Sequence, residues 1–140
     1  MYHFEFQEIP GEKESQALLD GIRVEASLKK GMIHSITPFG IFVKDVDSKI
    51  LGGVEGVTYY GALYIDMLWV NEELRFQGIG TKLVQEAENI GKKRKCTFST
   101  VNTMDWEALP FYKSLGYKVE FTRHGYEKQS QMYFLKKEFS

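Results

Sequence analysis

With 140 residues, 43% hydrophobic and 26% charged, the chain has the size of one globular domain, residues 1–140, and no room for a second. Its 18 Lys plus Arg balance 19 Asp plus Glu, which argues against a nucleic-acid or anionic-membrane partner and for a small or locally recognised one. The single cysteine, Cys96, rules out an intramolecular disulfide and fits a reducing cytoplasm.

Residues 1–10 carry no basic patch followed by an apolar run, and no stretch approaches about 18 uninterrupted apolar residues, so neither a signal peptide nor a membrane span is expected. After Pro10-Gly11, Leu18, Leu19, Ile22 and Ala26 recur at helical spacing until Gly31, which predicts a first helix. Residues 39–46 are β-branched and aromatic, Asp47-Ser48 is a turn, and residues 50–59 resume extended structure, so a hairpin follows. Residues 62–70 (ALYIDMLWV) are nearly all apolar around one acid, the pattern of a central strand buried on both faces.

Beyond a glycine turn, Ile79, Leu83, Val84, Ala87 and Ile90 form one apolar stripe. Lys82, Gln85, Glu86, Glu88 and Asn89 are expected to face water, as on an amphipathic helix. Residues 96–101 read as a strand, 106–115 as a short helix ended by Gly116, and 117–122 with 129–136 as a closing antiparallel pair. The fold class is therefore a mixed α/β sheet flanked by helices.

Between the central strand and the amphipathic helix stands Arg75-Phe76-Gln77-Gly78-Ile79-Gly80-Thr81. The first amides of a helix have no partner within it and the macrodipole is positive there, so an anion fits. Gly78 and Gly80 remove side chains that would block its approach, and Arg75 and the Thr81 hydroxyl can donate to phosphate oxygens. A glycine-softened turn with no ligand has the same local sequence. The spacing matches neither GxxxxGK[ST] nor a GxGxxG opening a βαβ unit.

Arg75, Gly78 and Gly80 fill the [Q/R]xxGx[G/A] turn of the GNAT superfamily of N-acetyltransferases, which this sequence resembles. Phe111-Tyr112-Lys113-Ser114-Leu115-Gly116-Tyr117 is similar to the FYxxLG[F/Y] segment of the same superfamily, in the right order. The likeness covers about residues 50–139, and Leu68-Trp69-Val70 resembles the LWV strand end of small bacterial members. Phe76 departs from it, because glycine is common there.

The resemblance implies a mostly antiparallel sheet splayed at the cofactor site, and acetyl-CoA as co-substrate with no metal. Leu68, Trp69 and Val70 would line the pantetheine arm, with backbone groups of Leu68 and Val70 bonding to it. Amides from Phe76 through Gln77, Gly78, Ile79 and Gly80 to Thr81 would receive the pyrophosphate, and Asn102 would lie across the channel. Tyr112 would serve as general acid for the departing thiolate, since a phenol of ordinary pKa about 10 is matched to a thiol.

For the general base, Asp66 is the candidate: period-two alternation places it with Tyr64, Leu68 and Val70, and partial desolvation would raise its pKa. Tyr64 is equally near, and an acid that only hydrogen-bonds a loop is the other reading of Asp66. The resemblance implies a small amine or a peptide as acceptor, met by about residues 18–38 and 123–131, where Glu25, Tyr126 and Glu127 either are ordinary loop surface or attract a cation. A non-catalytic acyl-CoA sensor and a protein- or tRNA-directed acetyltransferase are the rival functions, and homodimers are frequent in the superfamily.

The run Lys92-Lys93-Arg94-Lys95 reads as a solvated helix end favoured by the dipole, with the CoA 3′-phosphate as its other use. His3, His34 and His124 lack metal-ligand spacing, and Cys96 reads as a small buried hydrophobe.

Overall fold

The apolar stripes and turns of the sequence become nine elements in the computed structural model, which describes residues 1–33 and 36–140. They are α1 (Glu12–Lys30), β1 (Ile36–Lys44), β2 (Ile50–Tyr59), β3 (Ala62–Val70), α2 (Ile79–Lys93), β4 (Phe98–Met104), α3 (Leu109–Ser114), β5 (Lys118–Tyr126) and β6 (Ser130–Glu138). Short 3-10 turns at Glu72–Leu74 and Glu127–Gln129 link them.

The chain divides into two compact units, Met1–Ser35 and Ile36–Ser140. The first is built on α1, which Gly31 ends with φ +67°. There the Gly31 N–H donates to the Ser27 carbonyl at 2.9 Å and the Met32 N–H to Ala26 at 3.3 Å, closing the last turn.

In the second unit the sheet order is β1-β2-β3-β4-β6-β5. Every neighbouring pair is antiparallel except β3 with β4. That parallel pair is short, with residues 62–65 matched to 98–101, after which the two strands run on without each other. The expected splay is therefore present, at the ends from which α2 and α3 are launched.

Leu63, Ile65, Val101, Leu135 and Val54 on one face of the sheet pack with Leu83, Val84 and Ala87 of α2, and with Tyr112 and Tyr117. Fully burying one such aliphatic side chain stabilises the fold by about 1.5–3 kcal/mol.

Two sequence expectations fail on β3 and one on α2. Glu55 pairs with Met67 while Gly56 pairs with Ile65, so Asp66 is the extra residue of a bulge. An added residue inverts the alternation beyond it. Leu63 and Ile65 face the core before the bulge, Leu68 and Val70 pack against it after, and Asp66 and Met67 are both exposed. β3 is thus buried on one face only, and Asp66 does not share a face with Leu68 and Val70. The bulge needs glycine opposite, since a Cβ at Gly56 would overlap the Tyr64 carbonyl oxygen. On α2, Glu88 is not in water but 5% exposed.

Candidate active site

Past Val70 the chain turns through Asn71, whose side chain accepts the Glu73 N–H at 3.0 Å, and re-enters helix at Gly78. Gly78 has φ +78°, a conformation open to glycine, and α2 begins there with no side-chain cap. The first amides of α2 consequently have no side chain to accept them, at the end of the helix where the macrodipole is positive. Arg75 folds back so that its Nε donates to the Val70 carbonyl at 3.1 Å. Phe76 also has positive φ, +64°, and its side chain is fully exposed.

This turn, the end of β3 and the loop before α3 enclose a cleft of about 680 Å³, a volume usual for small-molecule sites. Leu68, Trp69, Val70, Arg75, Phe76, Gly78, Ile79, Gly80 and Thr81 line it. Gln77 and Asn102 do not: the Gln77 side chain donates to the Glu73 carbonyl at 3.4 Å, and Asn102 Nδ2 donates to the Tyr64 hydroxyl at 3.4 Å.

The opposite wall, Trp106, Glu107, Ala108, Pro110 and Phe111, was not singled out as lining from the sequence. It is shaped by Glu107, whose Oε1 accepts the Met104 N–H at 2.9 Å, and by the Ala108 N–H, which donates to Thr103 Oγ1 at 3.1 Å. The position of residues 106–110, between a strand and the Phe111-Tyr112 motif, was the available signal.

Tyr112 lies behind this wall, 4% exposed, its ring edge-on to those of Phe111 and Tyr117. Burial, and then the nearby Glu107 carboxylate, hold its phenol well above the ordinary value, so the acidity matched to a thiol that was expected from sequence does not hold. Among the described residues its hydroxyl has no hydrogen-bond partner.

Asp66 is exposed at the bulge, so the desolvation expected for it is missing. Tyr64 is half-buried, and its phenol is raised by burial, then by the Asp66 carboxylate and by Tyr59. These two and Asn102 form a group beside the bulge, outside the cleft lining.

In the basic run, Arg94 is not simply solvated: its Nη1 donates to the Thr37 and Pro38 carbonyls at 3.0 and 3.2 Å. Lys92 stands 5.3 Å from the centre of the Phe139 ring. Cys96 is buried, and burial raises its thiol pKa. Among the described residues no three His, Cys, Asp or Glu side chains gather as metal ligands, and His34 lies outside those residues.

The acetyltransferase (GNAT) family model matches residues 6–117, most of the chain. This chain belongs to the GNAT family. An acetyltransferase of Agrobacterium fabrum is 38% identical over 77 residues, 55% of this chain and 56% of that protein. Blasticidin-S acetyltransferase of Streptomyces morookaense is 33% identical over 72 residues, 51% of this chain and 53% of that protein. The chain thus spans about half the length of these relatives. A crystal structure assigned as an acetyltransferase from Agrobacterium tumefaciens superposes with a TM-score of 0.82 at 27% identity, over 99% of this chain and 100% of that one.

Proposed function

We propose that this GNAT chain transfers an acetyl group from acetyl-CoA directly to a primary amine of a small molecule or peptide. The observation that carries the reading is the cleft itself, where the uncapped first turn of α2 and the β3 edge that β4 has left meet at one opening. Uncapped amides suit a pyrophosphate, and a strand edge without a neighbour suits the amide-bearing pantetheine arm. Acetyl-CoA supplies the activated thioester. The chain's part is to bind and orient it, and to deliver protons.

Phe76 through Thr81 hold the diphosphate, Leu68 and Val70 hold the arm, and backbone N–H groups at the splay polarise the thioester carbonyl. The amine nitrogen bonds to that carbon, the carbon–sulfur bond breaks, and the Tyr112 hydroxyl gives its proton to sulfur. Burial keeps that phenol protonated and so able to donate, and its ring packs against Phe111 of the cleft wall. The amine's own proton leaves to the Asp66 carboxylate through water at the exposed bulge, where Tyr64, its phenol held protonated, can only relay it.

The Streptomyces relative, a blasticidin-S acetyltransferase by name, supports a small molecule as acceptor. The test is release of free CoA from acetyl-CoA with a panel of amino acids, polyamines, nucleoside and aminoglycoside antibiotics, and peptides. Acetyl-CoA binding with no CoA release across that panel would instead mean a sensor.

A further inference from the structure

A second polar cluster lies under the α3–β5 turn, apart from the cleft, and the transfer as set out above leaves it without a task. Glu88 of α2 is 5% exposed and Tyr117 is 2% exposed. The Tyr117 hydroxyl is 2.8 Å from Glu88 Oε2 and 2.8 Å from Ser99 Oγ. Lys137 Nζ donates to both Glu88 oxygens, at 3.0 and 3.1 Å.

A phenol has one proton and a carboxylate only accepts, so Tyr117 donates to Glu88 and the Ser99 hydroxyl donates to the Tyr117 oxygen. Burial holds the Tyr117 phenol well above its ordinary value, so the donor persists at any assay pH. Glu88 of α2 and Ser99 of β4 meet at the hydroxyl of Tyr117, the residue just before β5, and Lys137 of β6 holds Glu88.

What they fix is Tyr117, and Tyr117 touches Tyr112 twice. The two rings meet edge to face with centroids 5.6 Å apart. The Tyr117 N–H donates to the Tyr112 carbonyl at 3.1 Å. Glu88 also stands two turns along the helix whose first turn lines the cleft, so one rigid element spans the anion site and the clamp. Apolar side chains of the same shape would fill this space without desolvating a carboxylate, so a role in orientation explains the cluster where stability alone does not.

We propose that Glu88 and Tyr117 are positioning residues: Glu88, paired with Lys137, anchors the Tyr117 hydroxyl, and Tyr117 holds the Tyr112 phenol at its working angle. This rests on the acid role of Tyr112 proposed above. Tyr117→Phe keeps the ring and loses the anchor. It lowers kcat about ten-fold to a hundred-fold, the scale of a small misplacement, and leaves the acetyl-CoA KM nearly unchanged.

In the Tyr112→Phe background the same change has no further effect, because the group it positions is gone. Glu88→Gln keeps an acceptor for Tyr117 and retains most of the kcat that Glu88→Leu loses. A Tyr117→Phe loss that multiplies with that of Tyr112→Phe, or a kcat equal to that of the parent, overturns the inference.

A second readout does not depend on the acid role. In protein labelled with 3-fluorotyrosine, the fluorine resonance absent from Tyr112→Phe belongs to Tyr112, and it shifts and broadens in Tyr117→Phe. An unmoved resonance rejects the clamp even if Tyr112→Phe has already rejected the acid. Should Tyr117→Phe fail to fold, Ser99→Ala and Glu88→Leu carry the same comparison.

Discussion

The Tyr112 phenol is buried and held protonated by its surroundings. As the acid, it should lose about ten-fold to a thousand-fold in kcat on Tyr112→Phe, with the acetyl-CoA KM little changed, measured where chemistry limits turnover. Its raised pKa also has a stability consequence with a definite sign, shared by Tyr117. Both phenols ionise near pH 10 in the unfolded chain and higher in the folded one, so folding is unaffected by them below about pH 10. Above it, each removes up to about 1.4 kcal/mol of stability per pH unit, until its folded-state value is reached. Thermal melts should therefore be insensitive to these two groups between about pH 7 and 9 and fall steeply beyond about 10, with a shallower slope in Tyr112→Phe. An unchanged slope in that variant would mean that Tyr112 titrates as an open phenol.

In the turn before α2, two residues share positive φ and differ in what that costs. Gly78 at +78° has no side chain to strain, whereas Phe76 at +64° does. Gly78→Ala should cost about 1–2 kcal/mol, while Phe76→Gly relieves a similar strain against about 0.5–1 kcal/mol of added chain entropy. The melting temperature should fall for the first and hold or rise for the second, and a fall in both would reject the strained turn. This turn and the strand before it were legible in the sequence: the bounds of β2 and β3 and the start of α2 follow from Tyr60-Gly61 and Gly78. The bulge at Asp66 was not, because it is a property of the register between β2 and β3. Nor was the burial of Glu88, whose partners lie 29 and 49 residues along the chain at Tyr117 and Lys137. Local spacing assigned it to water, although it continues the i, i+4 row from Val84 into the core.

At the scale of the whole molecule, the pairing of strands decides where a ligand can enter. The sequence showed β5 and β6 as a closing pair, yet β6 adds to β4 and leaves β5 at the edge, an order that no local pattern encodes. With β4 engaged by β6 along 98–104 and by β3 only along 98–101, the rest of β3 is the exposed partner edge of an otherwise continuous sheet. The opening lies at the C-terminal ends of the two parallel strands, the usual ligand position of such arrangements. A ligand there bridges the end of β3, the first turn of α2 and the loop before α3, so it should stabilise the native state by linkage. At a hundred-fold excess over Kd the gain is about 2.7 kcal/mol, which for a chain of this size raises the melting temperature by roughly 10 °C. The two halves of CoA separate the contributions. The 3′,5′-ADP half should lose most of its shift in Gly78→Ala, and the pantetheine half should keep its own, because the turn receives phosphate and the strand edge receives amides. Equal losses for both halves would place the two on one shared contact and contradict a site built from two elements, and no shift with intact acetyl-CoA would remove the cleft as its binding site.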